Sequence, residues 1–145
     1  MKYLLLVSHG DFSTGLRQTL SMFAGDPVKS VVAVGLKKDE AASTLEKRFE
    51  GMMSDFPEDS EFVILADVIG GSPLTTVCNV LSKHGKLQGS LVMGGMNFPM
   101  ALTATLSKDS LSNEDLQKKI TTEATDAIKV FDTTQSSDDL SDDDI

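Results

Sequence analysis

Four short apolar runs punctuate the chain, and between them apolar residues recur every three or four positions. The first run, Lys2–Ser8, is continuous rather than alternating, the mark of a strand covered on both faces. A helix is expected next, with Phe12, Leu16, Leu20 and Phe23 on one stripe, Ser13 as its cap and an end at Gly25 before Asp26-Pro27. Lys29–Val34 reads as a second strand. Asp39 is expected to cap a second helix carrying Ala42, Leu45, Phe49 and Met52, closed off by Phe56-Pro57. Glu61–Asp67 reads as the third strand. Ser72 followed by Pro73 reads as an N-cap and a first-position proline. That third helix buries Leu74, Val77, Cys78 and Leu81 and stops at Gly85. Leu87–Met93 reads as a fourth strand, with a short helix after Asn97-Phe98-Pro99. Ser112, with Asp115 three residues on, opens a last helix carrying Leu116, Ile120, Ala124 and Ala127. Lys129–Asp132 suits a short edge strand.

Strands alternating with helices imply an α/β fold with a mostly parallel sheet and right-handed crossovers. In such folds ligands gather outside the carboxyl ends of the strands, where the strand order reverses. Attention therefore falls on His9-Gly10, Gly35-Leu36, the stretch from Asp67 to Ser72, and the stretch from Gly94 to Pro99.

Composition narrows the classes. The chain has 145 residues, 40% apolar and 24% charged, which suits one ordinary globular domain. One cysteine, Cys78, cannot form an internal disulfide, which points to a reducing, cytoplasmic setting. The formal charge of −9 is concentrated at the end: five aspartates, at 138, 139, 142, 143 and 144, leave 17 acids against 13 bases elsewhere. From Thr133 onward the chain is rich in Ser and Asp, so residues 1–132 are expected to fold and 133–145 to form a disordered acidic tail. There is no basic stripe and no Trp, which argues against nucleic acid. Lys2 and the run after it are too short for a signal peptide. The uncharged stretch Leu87–Ser107 is long enough to cross a bilayer but is broken by Gly89, Gly94, Gly95, Asn97 and Pro99, so it reads as strand and loop.

The chemistry lies at the strand ends. A sheet of order 2-1-3-4 makes the first and third strands neighbours and brings His9 within reach of Asp67. A carboxylate on one ring nitrogen fixes the imidazole tautomer and leaves the other nitrogen as a nucleophile. The alternative is a capping histidine beside a buried aspartate. Gly70-Gly71-Ser72-Pro73 brings a helix start, with unpaired N–H groups and a positive dipole end, to the same place; a plain helix cap explains the same four residues. The loop lacks the Gly-Lys-Ser/Thr of a Walker loop, and no GxGxxG follows the first strand. His84 falls in the last turn of the third helix, where a cation favours the helix end, and reads as structural. Cys78 reads as core. One His and one Asp are too few for a zinc site, and without a GxSxG elbow a serine triad is poorly supported.

These residues resemble the IIA component of the mannose-family bacterial sugar phosphotransferase system. The likeness spans roughly residues 1–132 and rests on Ser8-His9-Gly10, on Asp67 followed by Gly70-Gly71-Ser72-Pro73, and on Gly95-Met96-Asn97-Phe98-Pro99-Met100. The resemblance implies a parallel four-stranded doubly wound sheet with helices on both faces. It implies that His9 accepts a phosphoryl group from the histidine-containing phosphocarrier protein and passes it to a IIB component. Asp67 would orient and stabilise the ring, and Gly71 and Ser72 would receive the phosphoryl oxygens, with no metal or cofactor. It also implies a homodimer in which a C-terminal strand, here Lys129–Asp132, crosses antiparallel to the partner's sheet edge. Association with the membrane IIC and IID components would run only through IIB. The acidic tail, in place of a linker to a fused IIB domain, suggests a stand-alone subunit. Val68 and Ile69 stand where some members carry a polar residue and an aromatic. An exposed apolar rim of Phe12, Ile69, Met96 and Phe98 would serve for transient docking.

Three other readings compete. IIA-like domains of dihydroxyacetone phosphotransfer also carry a histidine after the first strand but generally lack the Gly-Gly-Ser-Pro turn. A histidine phosphatase or phosphoglycerate mutase would need arginines to clamp phosphate; Ser8 stands in the arginine position of their motif, and Arg17 and Arg48, the only arginines, fall on helices. A regulatory module that merely binds a small anion at His9 would never be covalently phosphorylated.

Overall fold

The computed structural model describes residues 1–134. In it the four apolar runs become four parallel strands, β1 (Lys2–His9), β2 (Val31–Leu36), β3 (Glu61–Ala66) and β4 (Leu91–Met93), in the order β2-β1-β3-β4. Five helices connect and cover them: α1 (Phe12–Ser21), α2 (Ala42–Met53), α3 (Ser72–Lys83), α4 (Phe98–Ser107) and α5 (Asn113–Asp126). This is the expected doubly wound α/β architecture. Because successive side chains of a strand face opposite ways, β1 feeds two cores. Leu4 and Leu6 pack with Leu16 and Leu20 of α1, Met100, Ala101 and Ala104 of α4, and Leu116 and Ile120 of α5. Leu5 and Val7 pack with Leu45 and Phe49 of α2 and with Val77, Val80 and Leu81 of α3. His9 follows Leu5 and Val7 in this alternation, which directs it toward the α2/α3 side.

Several boundaries differ from the sequence reading, each for a local reason. The second strand starts at Val31, not Lys29, because Asp26–Ser30 forms a 3-10 turn after Gly25, closed by the Ser30 hydroxyl donating to the Pro27 carbonyl. The fourth strand is shorter than Leu87–Met93 because the Ser90 N–H turns back to the Leu87 carbonyl. Asp39 does not cap α2; it sits in a left-handed turn at φ 65°, and the helix begins after Ala41 with no side-chain cap. Ser13 lies inside α1, where its own N–H is taken by the Ser8 hydroxyl. The helix after Asn97 is a full ten residues, capped by the Asn97 side chain accepting the Met100 N–H. Ser112 caps α5 through the Asp115 N–H, as its spacing predicts.

Among the described residues Lys129–Asp132 pairs with no strand, and Ile128, Val130 and Phe131 are exposed. Of the expected tail, residues 135–145 lie outside the described residues. Among the described residues no helix is long and apolar enough to cross a membrane.

Candidate functional site

The strand register brings the site together. Val7 pairs with Ala66, so β1 runs on to Ser8 and His9 while β3 has already ended. Past that end, the Asp67 N–H still donates to the Val7 carbonyl at 3.0 Å, which holds its side chain beside His9. One carboxylate oxygen, Oδ2, accepts twice from the same residue: from the His9 backbone N–H at 2.9 Å and from the ring at Nδ1, 2.8 Å away. The other oxygen, Oδ1, accepts the Val68 N–H at 2.8 Å. Partial burial pushes the Asp67 carboxyl upward, but the bonds from the His9 backbone and ring and from Val68 outweigh it and hold the pKa below the ordinary carboxylate range. Asp67 is therefore an anion at neutral pH, and an anion at Nδ1 keeps the proton there.

That leaves Nε2 with its lone pair. No hydrogen bond engages it among the described residues, and the imidazole is 53% exposed against 18% for the carboxylate. The ring edge lies against Gly71, the residue preceding α3. A Cβ added at Gly71 would stand 3.0 Å from His9 Cε1, 3.1 Å from Val68 Cγ2 and 3.6 Å from His9 Nε2. Only a residue without a side chain lets the ring come this close to the helix start. The helix cap is Gly71, not Ser72; Ser72 and Pro73 are the first two helical residues, and no side chain satisfies the leading N–H groups. The start of α3 thus offers free donors beside Nε2, where an anion is favoured.

Of the four sequence candidates, the structure brings His9, Asp67 and Gly71 into contact. Ser72 stands one residue further along, exposed, in a cleft of about 360 Å³ between α2 and α3 that Ser43, Thr75 and Asn79 also line. Its hydroxyl makes no hydrogen bond to the ring.

The apolar rim is composed differently from the expectation. Phe12, Val68 and Ile69 are exposed, but Met96 is core. Phe98 is half-buried, with its ring 4.9 Å from that of Phe23. The Met96 N–H donates to the Ala66 carbonyl, which ties its loop to the end of β3 and turns the side chain inward. Val68 is the rim residue absent from the sequence reading; its place directly after Asp67 was the available signal.

The remaining candidates fall where the sequence puts them. His84 follows the last turn of α3 and pairs through Nε2 with Glu50. Cys78 is half-buried against the α2/α3 core, and burial pushes its thiol up, away from the reactive thiolate.

Residues 3–121 match the family model described as PTS system fructose IIA component. A curated relative, the PTS system fructose-specific EIIA component of Bacillus subtilis (strain 168), is 26% identical over 112 residues, covering 77% of this chain and 74% of the relative. Among solved structures, the phosphotransferase system component EIIA from Streptococcus agalactiae superposes with a TM-score of 0.73 at 25% identity, covering 92% of this chain and 99% of that one. The mannose/sorbose specific IIA subunit from Enterococcus faecalis gives a TM-score of 0.74 at 21% identity, over 94% and 100% of the two chains, a likeness of fold.

Proposed function

We propose that this chain, which belongs to the EIIA-man family of sugar phosphotransferase IIA components, is a cytoplasmic phosphohistidine carrier that works through Nε2 of His9. The donor is the histidine-containing phosphocarrier protein and the acceptor a IIB component. The observation that carries this reading is the pairing of His9 Nδ1 with an ionised Asp67 while Nε2 stays open toward the start of α3.

The Nε2 lone pair attacks the phosphorus in line, and the P–N electron pair of the donor returns to the donor's nitrogen. No proton leaves His9: the one on Nδ1 stays bonded to Asp67, whose charge stabilises the phosphorylated imidazolium. The N–H groups at the start of α3 and the Ser72 hydroxyl take the phosphoryl oxygens. Onward transfer reverses the step, with the acceptor's nucleophile attacking and the electron pair of the Nε2–P bond returning to His9. Both steps need the partner to reach the phosphorus. A half-exposed ring in a shallow site meets that need, and positioning with charge stabilisation supplies the chemistry.

Phe12, three residues after His9, and Val68 and Ile69, directly after Asp67, supply exposed apolar surface for brief docking with each partner. The segment Lys129–Asp132, with Val130 and Phe131 exposed, fits the homodimer of the family as the strand that crosses to a second copy.

The test is intact-protein mass after incubation with phosphoenolpyruvate, enzyme I and the histidine phosphocarrier, with His9→Ala alongside. One added, acid-labile phosphoryl group in the wild type and none in the variant is expected. An unmodified wild type, with the general proteins shown to be active, refutes the carrier and favours a small-anion-binding module.

A further inference from the structure

The turn that carries His9 is held from below by a buried hydroxyl. Ser8 is fully buried, and β1 alternation sends it to the α1 side while His9 goes to the other. Helix α1 has no side-chain cap of its own: Asp11, at the cap position, makes no such bond. The Ser8 hydroxyl takes that role from outside the helix, accepting the N–H of the fully buried Ser13 at 2.8 Å. Its own proton is directed at the Gly10 carbonyl, a long 3.4 Å away.

Gly10 is pinned twice more. Its N–H donates to the Leu36 carbonyl at 2.7 Å, and its φ of 58° is one that a glycine adopts freely. Its carbonyl lies so close to β2 that a Cβ at Gly35 would stand 2.3 Å from it. The chain from residue 8 to residue 13 is therefore fixed on the α1 side by Ser8 and on the β2 side by Leu36 and Gly35. His9 sits within it, its backbone N–H on the same Asp67 oxygen that meets its ring.

We propose that Ser8 is a positioning residue for His9. By holding the Ser13 N–H it sets the path of the turn, and the path sets the angle at which Nδ1 meets Asp67 and the ring edge meets Gly71. Ser8→Ala keeps the Cβ, removes the acceptor and leaves the Ser13 N–H unpaired. The kinetic consequence rests on the carrier reading; the ring geometry does not.

The experiment compares Ser8→Ala with Ser112→Ala. Both delete a serine hydroxyl that caps a helix, the first under His9 and the second at the start of α5, far from it in the fold. Two readouts are taken: the ¹⁵N shifts of the His9 ring, and single-turnover phosphoryl transfer from the phosphocarrier across a range of donor concentrations. In Ser8→Ala the ring shifts are expected to move from a single Nδ1–H tautomer toward an average of two. The maximal transfer rate is expected to fall at least fivefold, with the half-saturating donor concentration within twofold of wild type. Ser112→Ala is expected to match wild type in both. Ring shifts and transfer in Ser8→Ala that match those of Ser112→Ala overturn the proposal. A wild type that accepts no phosphoryl group defeats the carrier reading instead, and the ring shifts alone then decide the role of Ser8.

Discussion

Asp67→Asn separates the charge of this carboxylate from its shape. The substitution is nearly isosteric, but the amide must offer an NH₂ where one oxygen stood. If it replaces Oδ2, the NH₂ faces two groups of His9. It opposes the backbone N–H, and it donates to Nδ1, which moves the ring proton to Nε2 and removes the lone pair. If it replaces Oδ1, it opposes the Val68 N–H, and the tautomer survives without the anion that stabilises a phosphorylated ring. Either orientation leaves a donor facing a donor. Hydrogen bonds to a charged acceptor contribute about 1.5–3 kcal/mol each. Two of the three persist in weakened, neutral form, so the expected loss of stability is about 1–3 kcal/mol. For a chain of this size that lowers Tm by roughly 3–10 °C. Transfer should suffer more, because both orientations damage the nucleophile or its phosphorylated product. A positioned acid–base partner contributes about 10²–10⁴-fold, and a fall of at least about 10²-fold is expected here. The assay is rapid-quench transfer at a temperature where thermal melts show the variant folded. Transfer within threefold of wild type would refute the role given to Asp67.

The same carboxylate sets a pH dependence. Its folded pKa lies below the unfolded value of about 3.9, so its contribution is present above that value and lost as pH falls through the folded pKa. The stability gap between wild type and Asp67→Asn, from urea titrations, should hold between pH 5 and 7 and close below about pH 4; a gap unchanged at pH 2.5 contradicts this. Gly71→Ala places a methyl 3.0 Å from the imidazole and 3.1 Å from Val68. Since a 1 Å misplacement costs about 10²-fold, a shift of a few tenths should slow transfer about three- to tenfold with Tm little changed; an unaltered rate shows that the ring has room. A chain ended at Thr133 should transfer at the wild-type rate within about twofold, because His9, Asp67, Gly71 and Ser72 all lie before the cut; a large loss in the same assay would give the removed segment a function.

The fold was legible because β1 and β3 are buried on both faces and so appear as unbroken apolar runs. Edges between elements were less so, since they depend on which of several local bonds wins. Asp26-Pro27 could start a turn or precede a strand, and the 3-10 hydrogen bonds decide it. Ser72-Pro73 fits the first turn of a helix at either of two offsets, and in the structure Gly71 takes the cap, with the His9 ring against it. Ser13 has the right residue type and position for a cap. The hydroxyl that does the work comes from Ser8, across a turn that no local pattern encodes. The sequence suits Met96 to core or to rim alike; in the structure its backbone is tied to the end of β3 and its side chain is buried.

The site was legible as two strand ends and a helix start, but not in how the strand ends are joined. Topology alone makes His9 and Asp67 neighbours; what joins them is the unequal length of their strands. The last paired residue of β3 is Ala66, opposite Val7, whereas β1 continues against β2 through His9 opposite Leu36. On its β3 side the His9 N–H therefore has no ladder partner, and a continuing strand would have offered it a backbone carbonyl. Asp67 supplies its carboxylate instead. A carbonyl would have satisfied the N–H and gone no further. The carboxylate satisfies it and, through the same oxygen, holds the ring at Nδ1 with a full negative charge. Ending β3 before Asp67 thus converts a ladder position into the group that sets the tautomer. A one-residue slip of β1 would turn His9 to the α1 face and present Ser8 to Asp67, so the chemistry depends on register as much as on residue type.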